Sequence, residues 1–150
     1  MKALVIRSAK DTDIPTIVSI EAASPGAAHW PKSHYGRALT DAGRLVLVAE
    51  QAEFEVLGFL VAYISIPEWE LENIAVSPEA RRRGVGRALM TALVERALQA
   101  GATEIRQEVR ASNMAAQKLG LSVGFIPEGR RPDYYRDPTE DALLFKHLLA

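Results

Sequence analysis

From Val76 to Leu89 the chain reads Val-Ser-Pro-Glu-Ala-Arg-Arg-Arg-Gly-Val-Gly-Arg-Ala-Leu. Gly84 and Gly86 fall where an apolar strand pattern gives way to an amphipathic helix, and Arg81, Arg82, Arg83 and Arg87 surround them. A glycine-rich turn of this kind exposes backbone N–H groups beside the positive end of a helix dipole, which is the chemistry of phosphate binding. The dinucleotide fingerprint does not continue, because Leu89 stands at its third glycine, and no Gly-Lys-Ser/Thr follows to make a nucleoside-triphosphate loop. Taken alone, the segment reads equally as a tight turn beneath a solvated arginine face.

Other chemistries are removed by composition. With no cysteine, thiol catalysis, disulfides and thiolate zinc sites are excluded, and no metal site is expected; a reducing, cytoplasmic setting fits. No Gly-x-Ser-x-Gly elbow occurs, and His29, His34 and His147 show no motif spacing with a nucleophile. Eighteen Lys plus Arg against nineteen Asp plus Glu give a formal charge of -1, which argues against a nucleic-acid or anionic-membrane partner. The N-terminal apolar run, Ala3 to Ile6, is too short for a signal-peptide core or a membrane span. No repeat or linker divides the 150 residues, so residues 1–150 are expected to form one domain with a core of its own. Whether it is a monomer or a homodimer stays open.

The elements that must carry the glycine-rich turn follow from periodicity. Leu4 to Arg7 reads as a short strand, and Asp11-Thr12-Asp13 caps a helix bearing Ile14, Ile17, Val18 and Ile20 that ends at Ser24-Pro25-Gly26. A loop with Trp30 leads to a weaker helix, Ser33 to Ala42. Strands Leu45 to Ala49 and Val56 to Ile64 form an antiparallel hairpin through Gln51-Ala52-Glu53, and Trp69 to Val76 follows as another strand. The helix after Gly84 places Leu89, Met90, Leu93, Val94, Ala97 and Leu98 on one stripe, with Gly101 at its C-terminal end. A strand from Glu104 to Val109, a helix from Asn113 to Val123, a strand from Phe125 and a last strand from Ala142 to His147 complete the chain. This is a mixed α/β sheet with about four helices packed on it.

With the strand, loop and helix in that order, Asn73 to Leu89 resembles the acetyl-CoA motif of the GNAT superfamily, whose core is Arg/Gln-x-x-Gly-x-Gly/Ala. The resemblance extends to Glu108-Val109-Arg110-Ala111-Ser112-Asn113, to Gly124-Phe125 and to Arg130 through Tyr135 with Glu140-Asp141-Ala142, and these segments are closest to the ribosomal-protein-alanine branch. It implies a mostly antiparallel sheet whose fourth and fifth strands splay apart to admit the pantetheine arm of acetyl-CoA, used as a co-substrate. It further implies that Ile74, Ala75 and Val76 hold the pantetheine and thioester through backbone groups, that Arg81 and the run Arg82, Arg83, Gly84, Val85, Gly86, Arg87 and Ala88 cradle the pyrophosphate, and that Asn113 contacts the cofactor.

The implied reaction is direct acetyl transfer to an amine, without an acyl-enzyme. An α-amino group has a reference pKa of about 7.7–8.0, so a glutamate is a sufficient proton acceptor. Glu108 matches the branch's acceptor, against a structural role paired with Arg106 or Arg110. Glu70 and Glu72 stand where other GNAT enzymes place a base or a water-ordering carboxylate, and strand alternation puts both on one face. Trp30 and Tyr35, and a loop from Arg130 to Arg136 carrying Tyr134 and Tyr135, are candidates for the acceptor groove. The resemblance implies a protein N-terminus as acceptor, with a small-molecule amine, or CoA-thioester binding with weak transfer, as alternatives. One departure stands out: Gly120 occupies the position where the branch carries a tyrosine that protonates the departing thiolate.

Overall fold

Apolar β-branched runs and 3.6-residue stripes alternate along the chain, and the computed structural model, which describes residues 3–52 and 55–149, builds a strand or helix from each. The strands are β1 (Leu4–Ser8), β2 (Arg44–Gln51), β3 (Glu55–Tyr63), β4 (Glu68–Val76), β5 (Glu104–Arg110), β6 (Ile126–Tyr135) and β7 (Glu140–Leu148). The helices are α1 (Ile14–Ala22), α2 (Lys32–Thr40), α3 (Val85–Gln99) and α4 (Met114–Ser122). Short 3-10 turns at Asp11–Asp13 and Pro78–Ala80 precede α1 and α3. Met1, Lys2 and, in the β2–β3 turn, Glu53 lie outside the described residues.

All seven strands form one sheet in the order β1-β2-β3-β4-β5-β7-β6. Neighbours are antiparallel except β4 and β5. Those two are joined by α3, the crossover that a parallel pair requires. On one face α3 buries Leu89, Met90, Leu93 and Ala97 against Leu47, Leu60, Leu71 and Ile105. On the other, α1 and α2 bring Ile17, Ile20, Tyr35 and Ala38 onto Val48, Phe59 and Val61. Covered on both sides, β2 and β3 read as continuous apolar runs.

Two expectations are corrected. Leu98 is 45% exposed, because five residues carry it about 140° around the helix from Leu93, past the edge of the stripe. The segment from Arg130 to Tyr135, expected as a loop, is the second half of β6. Its residues are exposed but for Tyr135, and an edge strand with no buried face leaves no two-residue apolar alternation to read.

Candidate active site

The two parallel strands pair only from Glu68 with Glu104 to Leu71 with Gln107. Beyond that point β4 runs on to Val76 and β5 to Arg110, so they part as a V. The edge of β4 that faces β5 is therefore free of its ladder from Glu72 onward, offering N–H and C=O groups to an extended ligand. A cleft of about 560 Å³ at the wide end of the V is lined by Ile74, Ala75, Val76, Arg81, Arg82, Gly84 to Arg87 and Asn113. A second, of about 420 Å³, shares Ile74 and Asn113 with it and reaches Glu70, Glu72, Gln107, Glu108, Trp30, Tyr134 and Tyr135. A third, of about 500 Å³, shares Glu70, Gln107 and Glu108 with the second and opens between the β3–β4 loop and β6.

The wide end is shaped by two glycines with different physical tasks. Gly84 caps α3 in the left-handed region at φ 84, a conformation that only glycine adopts without strain. At Gly86 a Cβ atom would lie 3.0 Å from Leu119 Cδ2, so its bare backbone lets α3 approach α4. The first-turn amides of α3 have no partner within the helix, except that the Ala88 N–H is already bonded to Gly84 O at 3.0 Å. Val85 turns its side chain into the core. Arg82 and Arg87 face the cleft. Arg81 is committed to Val76 O at 3.2 Å, Ala23 O at 3.2 Å and Ser24 Oγ at 3.1 Å. Arg83 is turned away to Gln51 Oε1 at 3.1 Å. Across the V, Asn113 Oδ1 accepts from Ala116 N at 3.1 Å as the N-cap of α4, while its Nδ2 donates to Gly26 O at 3.5 Å.

The narrow end gathers the carboxylates. A register shift pairs Val61 with Asn73 and Ala62 with Leu71, leaving Glu72 as the extra residue of a β-bulge. Trp69 and Leu71 thus join the α3-side core while Ala75 faces α1 and α2, and Glu72 and Asn73 emerge on the same side. Glu72 accepts from Arg44 Nε at 2.8 Å and Nη2 at 3.3 Å. Among the described residues Glu70 makes no ion pair; burial, then repulsion from Glu108 and Glu72, outweighs the more distant Arg131 and Arg44 and holds its carboxyl above the usual range. Glu108 is approached by Arg131 at 3.9 Å. The arginines weighed as its on-strand partners are engaged elsewhere, Arg106 with Glu68 and Glu104 at 3.1 Å each and Arg110 with Glu140 at 3.2 Å.

Asn73, to which the sequence reading gives no role of its own, organises the cleft wall. It is 5% exposed, accepts from Ala28 N at 3.2 Å, and donates to Glu21 Oε1 at 3.2 Å and to Tyr35 Oη at 2.9 Å. Glu21 Oε1 in turn accepts from Trp30 N at 2.8 Å, so three buried polar side chains pin the α1–α2 loop to β4. Tyr35, expected at the groove, is 1% exposed. Burial and the Glu21 carboxylate push its hydroxyl well above the ordinary tyrosine range, and it acts on the groove only by holding that loop. Trp30 is half-buried at the cleft and stacks on His34 with centroids 4.4 Å apart.

The opposite wall is the β6–β7 hairpin. Tyr134 and Tyr135 meet edge to face at 5.1 Å, and the Arg110 guanidinium lies 4.3 Å over the Tyr135 ring. The Tyr135 hydroxyl is pushed up to about 12, chiefly by burial and then by Glu108, and that of Tyr134 is raised first by its side-chain interaction with Glu108. Gly120 lies on α4, buried, where a Cβ would stand 3.5 Å from Gln107 Oε1 and 3.5 Å from Phe125 Cβ. Gln107 is the second residue not foreseen. Its only sequence signal is an amide between Ile105 and Val109 on the apolar side of an alternating strand.

A strand edge without its ladder, beside a helix N-terminus and two arginines, accommodates a long ligand with amide groups at one end and phosphates at the other. Residues 14–125 match the model of the acetyltransferase (GNAT) family. The chain belongs to that family, whose members use acetyl-CoA as co-substrate, and it is an acyltransferase. It is 33% identical over 141 residues to the ribosomal protein bS18-alanine N-acetyltransferase of Escherichia coli, covering 93% of each chain. The crystal structure of the Escherichia coli ribosomal-protein-alanine N-acetyltransferase superposes with a TM-score of 0.85 at 30% identity, covering 99% of this chain and 95% of that one. Ard1 from Thermoplasma volcanium gives a TM-score of 0.86 at 26% identity, with 99% of both chains covered.

Proposed function

We propose that this chain, acting as one domain, transfers acetyl from acetyl-CoA directly to the N-terminal α-amine of a protein, as its bS18-alanine relatives are named for doing. The observation that carries the reading is the V. One continuous path runs from the arginine-flanked turn through the unpaired β4 edge to Glu70 and Glu108, and then out to a groove walled by β6.

In this reading Arg82, Arg87 and the first-turn amides of α3 bind the pyrophosphate. The free β4 edge at Ile74 to Val76 pairs with the pantetheine amides and supplies N–H donors to the thioester oxygen as negative charge develops there. Arg81 and Asn113 act by holding loop and helix in place around the ligand. Glu108 takes the proton from the attacking amine, Glu70 keeps the floor of the groove acidic, and Glu72 anchors Arg44. Trp30, Tyr134 and Tyr135 flank the incoming N-terminus. The protein is read as working in the cytoplasm, a setting that suits a chain without cysteine; among the described residues, no helix is long and apolar enough to cross a membrane.

The test is CoA release with a thiol reagent over alanine- and serine-starting peptides, free amino acids and polyamines. Turnover confined to peptides, and abolished by blocking their α-amine, supports the reading. Turnover on small amines alone moves the acceptor to that class, and tight acetyl-CoA binding without transfer to any amine overturns catalysis in favour of a binding role.

A further inference from the structure

The V of β4 and β5 is bridged at its open end. The α1–α2 loop is held at Ala23 and Ser24 by Arg81, and at Ala28 by Asn73 of β4, whose Oδ1 accepts from the Ala28 N–H at 3.2 Å. Between these anchors the chain makes a tight turn, Ala27 N donating to Ser24 O at 3.0 Å, with Pro25 and Gly26 at its tip. The tip reaches the turn that follows β5, where Asn113 Nδ2 lies 3.5 Å from Gly26 O. A ring results. It runs from Leu71 along β4 to Asn73, through the loop to Gly26, across to Asn113, and back down β5 to Gln107, which pairs with Leu71. The cleft of about 420 Å³ that holds Glu108 is lined from every part of this ring.

Gly26 is the point of closest approach. A Cβ there would stand 2.2 Å from Asn113 Nδ2 and 2.9 Å from its Cγ, so only a residue without a side chain lets the two walls touch. The requirement is not conformational, since Gly26, unlike Gly84, keeps out of the left-handed region. Nor is Asn113 free to turn aside: its Oδ1 caps α4, accepting from Ala116 N at 3.1 Å. Gly26 is exposed, and a bond of 3.5 Å at the surface contributes little to the fold. Its position suggests another use. Gly26, Ala27, Ile74, Asn113 and Ala116 border both the cleft within the ring and the cleft of about 560 Å³ at the arginine-flanked turn. A ligand that fills both lies alongside the contact.

We propose that Gly26 and Asn113 form a clasp that closes the open end of the V around the pantetheine arm, parts to admit acetyl-CoA and parts again to release CoA. The proposal rests on the acetyl-transfer reading above, and it makes Gly26 a positioning residue. Closed, the clasp keeps the thioester in the cleft with Glu108 while the pyrophosphate is held at the N-terminus of α3. Open, it frees the arm and leaves the phosphate contacts untouched, because Arg82 and Arg87 line the cleft beyond the ring and not the one within it. The clasp therefore acts on how fast CoA leaves, whereas capture of its phosphates stays with the arginines.

The experiment is a double-variant cycle on CoA binding kinetics. Gly26→Ala adds a methyl group that cannot share the space with Asn113, at an exposed position whose backbone alanine adopts without strain, so the variant folds. Asn113→Ser keeps a capping oxygen for α4 and is too short to reach Gly26. Stopped-flow mixing with CoA, read by the fluorescence of Trp30 beside the cleft, shows koff raised by roughly tenfold in each, with kon within about twofold of wild type and its salt dependence unchanged. Because both substitutions open the same clasp, the double variant releases CoA no faster than Asn113→Ser alone. The melting temperature of Gly26→Ala stays within about 2 °C of wild type, whereas a merely structural role lowers it and leaves koff in place. A Gly26→Ala koff within about twofold of wild type, or effects that multiply in the double variant, overturns this proposal alone; failure of the wild type to bind CoA overturns the acetyl-transfer reading with it.

Discussion

Arg44 and Glu72 meet at 2.8 Å, and Asp41 reaches the same guanidinium at 2.7 Å. Glu70, two residues earlier on β4, instead lines the same two clefts as Glu108, whose repulsion helps hold its carboxyl high. Three carboxylates indistinguishable by residue type are thereby divided: one neutralised by an arginine, two sharing a floor. The bulge at Glu72 makes the division, because it frees that side chain to turn toward β2 while the strand continues.

Kinetics separate the three. Glu108→Gln lowers kcat by about 10²–10⁴-fold with an unchanged acetyl-CoA Kd, as expected for loss of a general base. Glu72→Gln leaves kcat within about threefold and costs about 1–2 kcal/mol of stability, since it unpairs one side of a half-buried guanidinium. Steady-state rates and urea denaturation of the same preparations read both effects.

Glu70 carries a pH dependence of definite sign. A carboxyl with a raised folded-state pKa binds more protons folded than unfolded between its ordinary and raised values. Stability therefore falls as pH rises through that window, and the full penalty is present above it. Glu70→Gln melts at a higher temperature than wild type at pH 7, and the gain disappears toward about pH 4, where the unfolded carboxyl is protonated too. Thermal melts across that range check it.

The arginines of the turn are unequal. Arg82→Ala and Arg87→Ala each weaken acetyl-CoA binding by about tenfold and reduce its salt sensitivity, whereas Arg83→Ala, whose side chain is spent on Gln51, changes Kd by less than about twofold. Gly84→Ala weakens binding and costs about 1–2 kcal/mol by forcing a side chain into the left-handed region. Calorimetric titration at two salt concentrations distinguishes them.

Tyr35→Phe removes a hydroxyl that Asn73 donates to and that lies beside Glu21. The loss costs about 1–3 kcal/mol and loosens the loop whose Ala28 and Trp30 amides end on Asn73 and Glu21. Faster hydrogen exchange at those two amides, and a raised KM for the acceptor with a Kd for acetyl-CoA that stays put, are the expected results.

Local chemistry was legible in the residues themselves. Apolar runs and stripes marked seven strands and four helices in order, Gly84 and Gly86 with their arginines offered a candidate anion site, and the absence of cysteine removed thiol chemistry. These are properties of neighbours along the chain, where spacing alone decides what a backbone can do. The tertiary structure decided what depends on partners far apart in sequence: that Arg81 and Arg83 serve the fold while Arg82 and Arg87 face the cleft, that Glu72 belongs to Arg44, that Tyr35 is core, that Asn73 and Gln107 matter at all, and that the exposed edge from Arg130 to Tyr135 is a strand. The reason is that a polar side chain's role is set by which donor or acceptor meets it once water is excluded, and that encounter is made by packing, a bulge and a parting of two strands, none of which has a local signature.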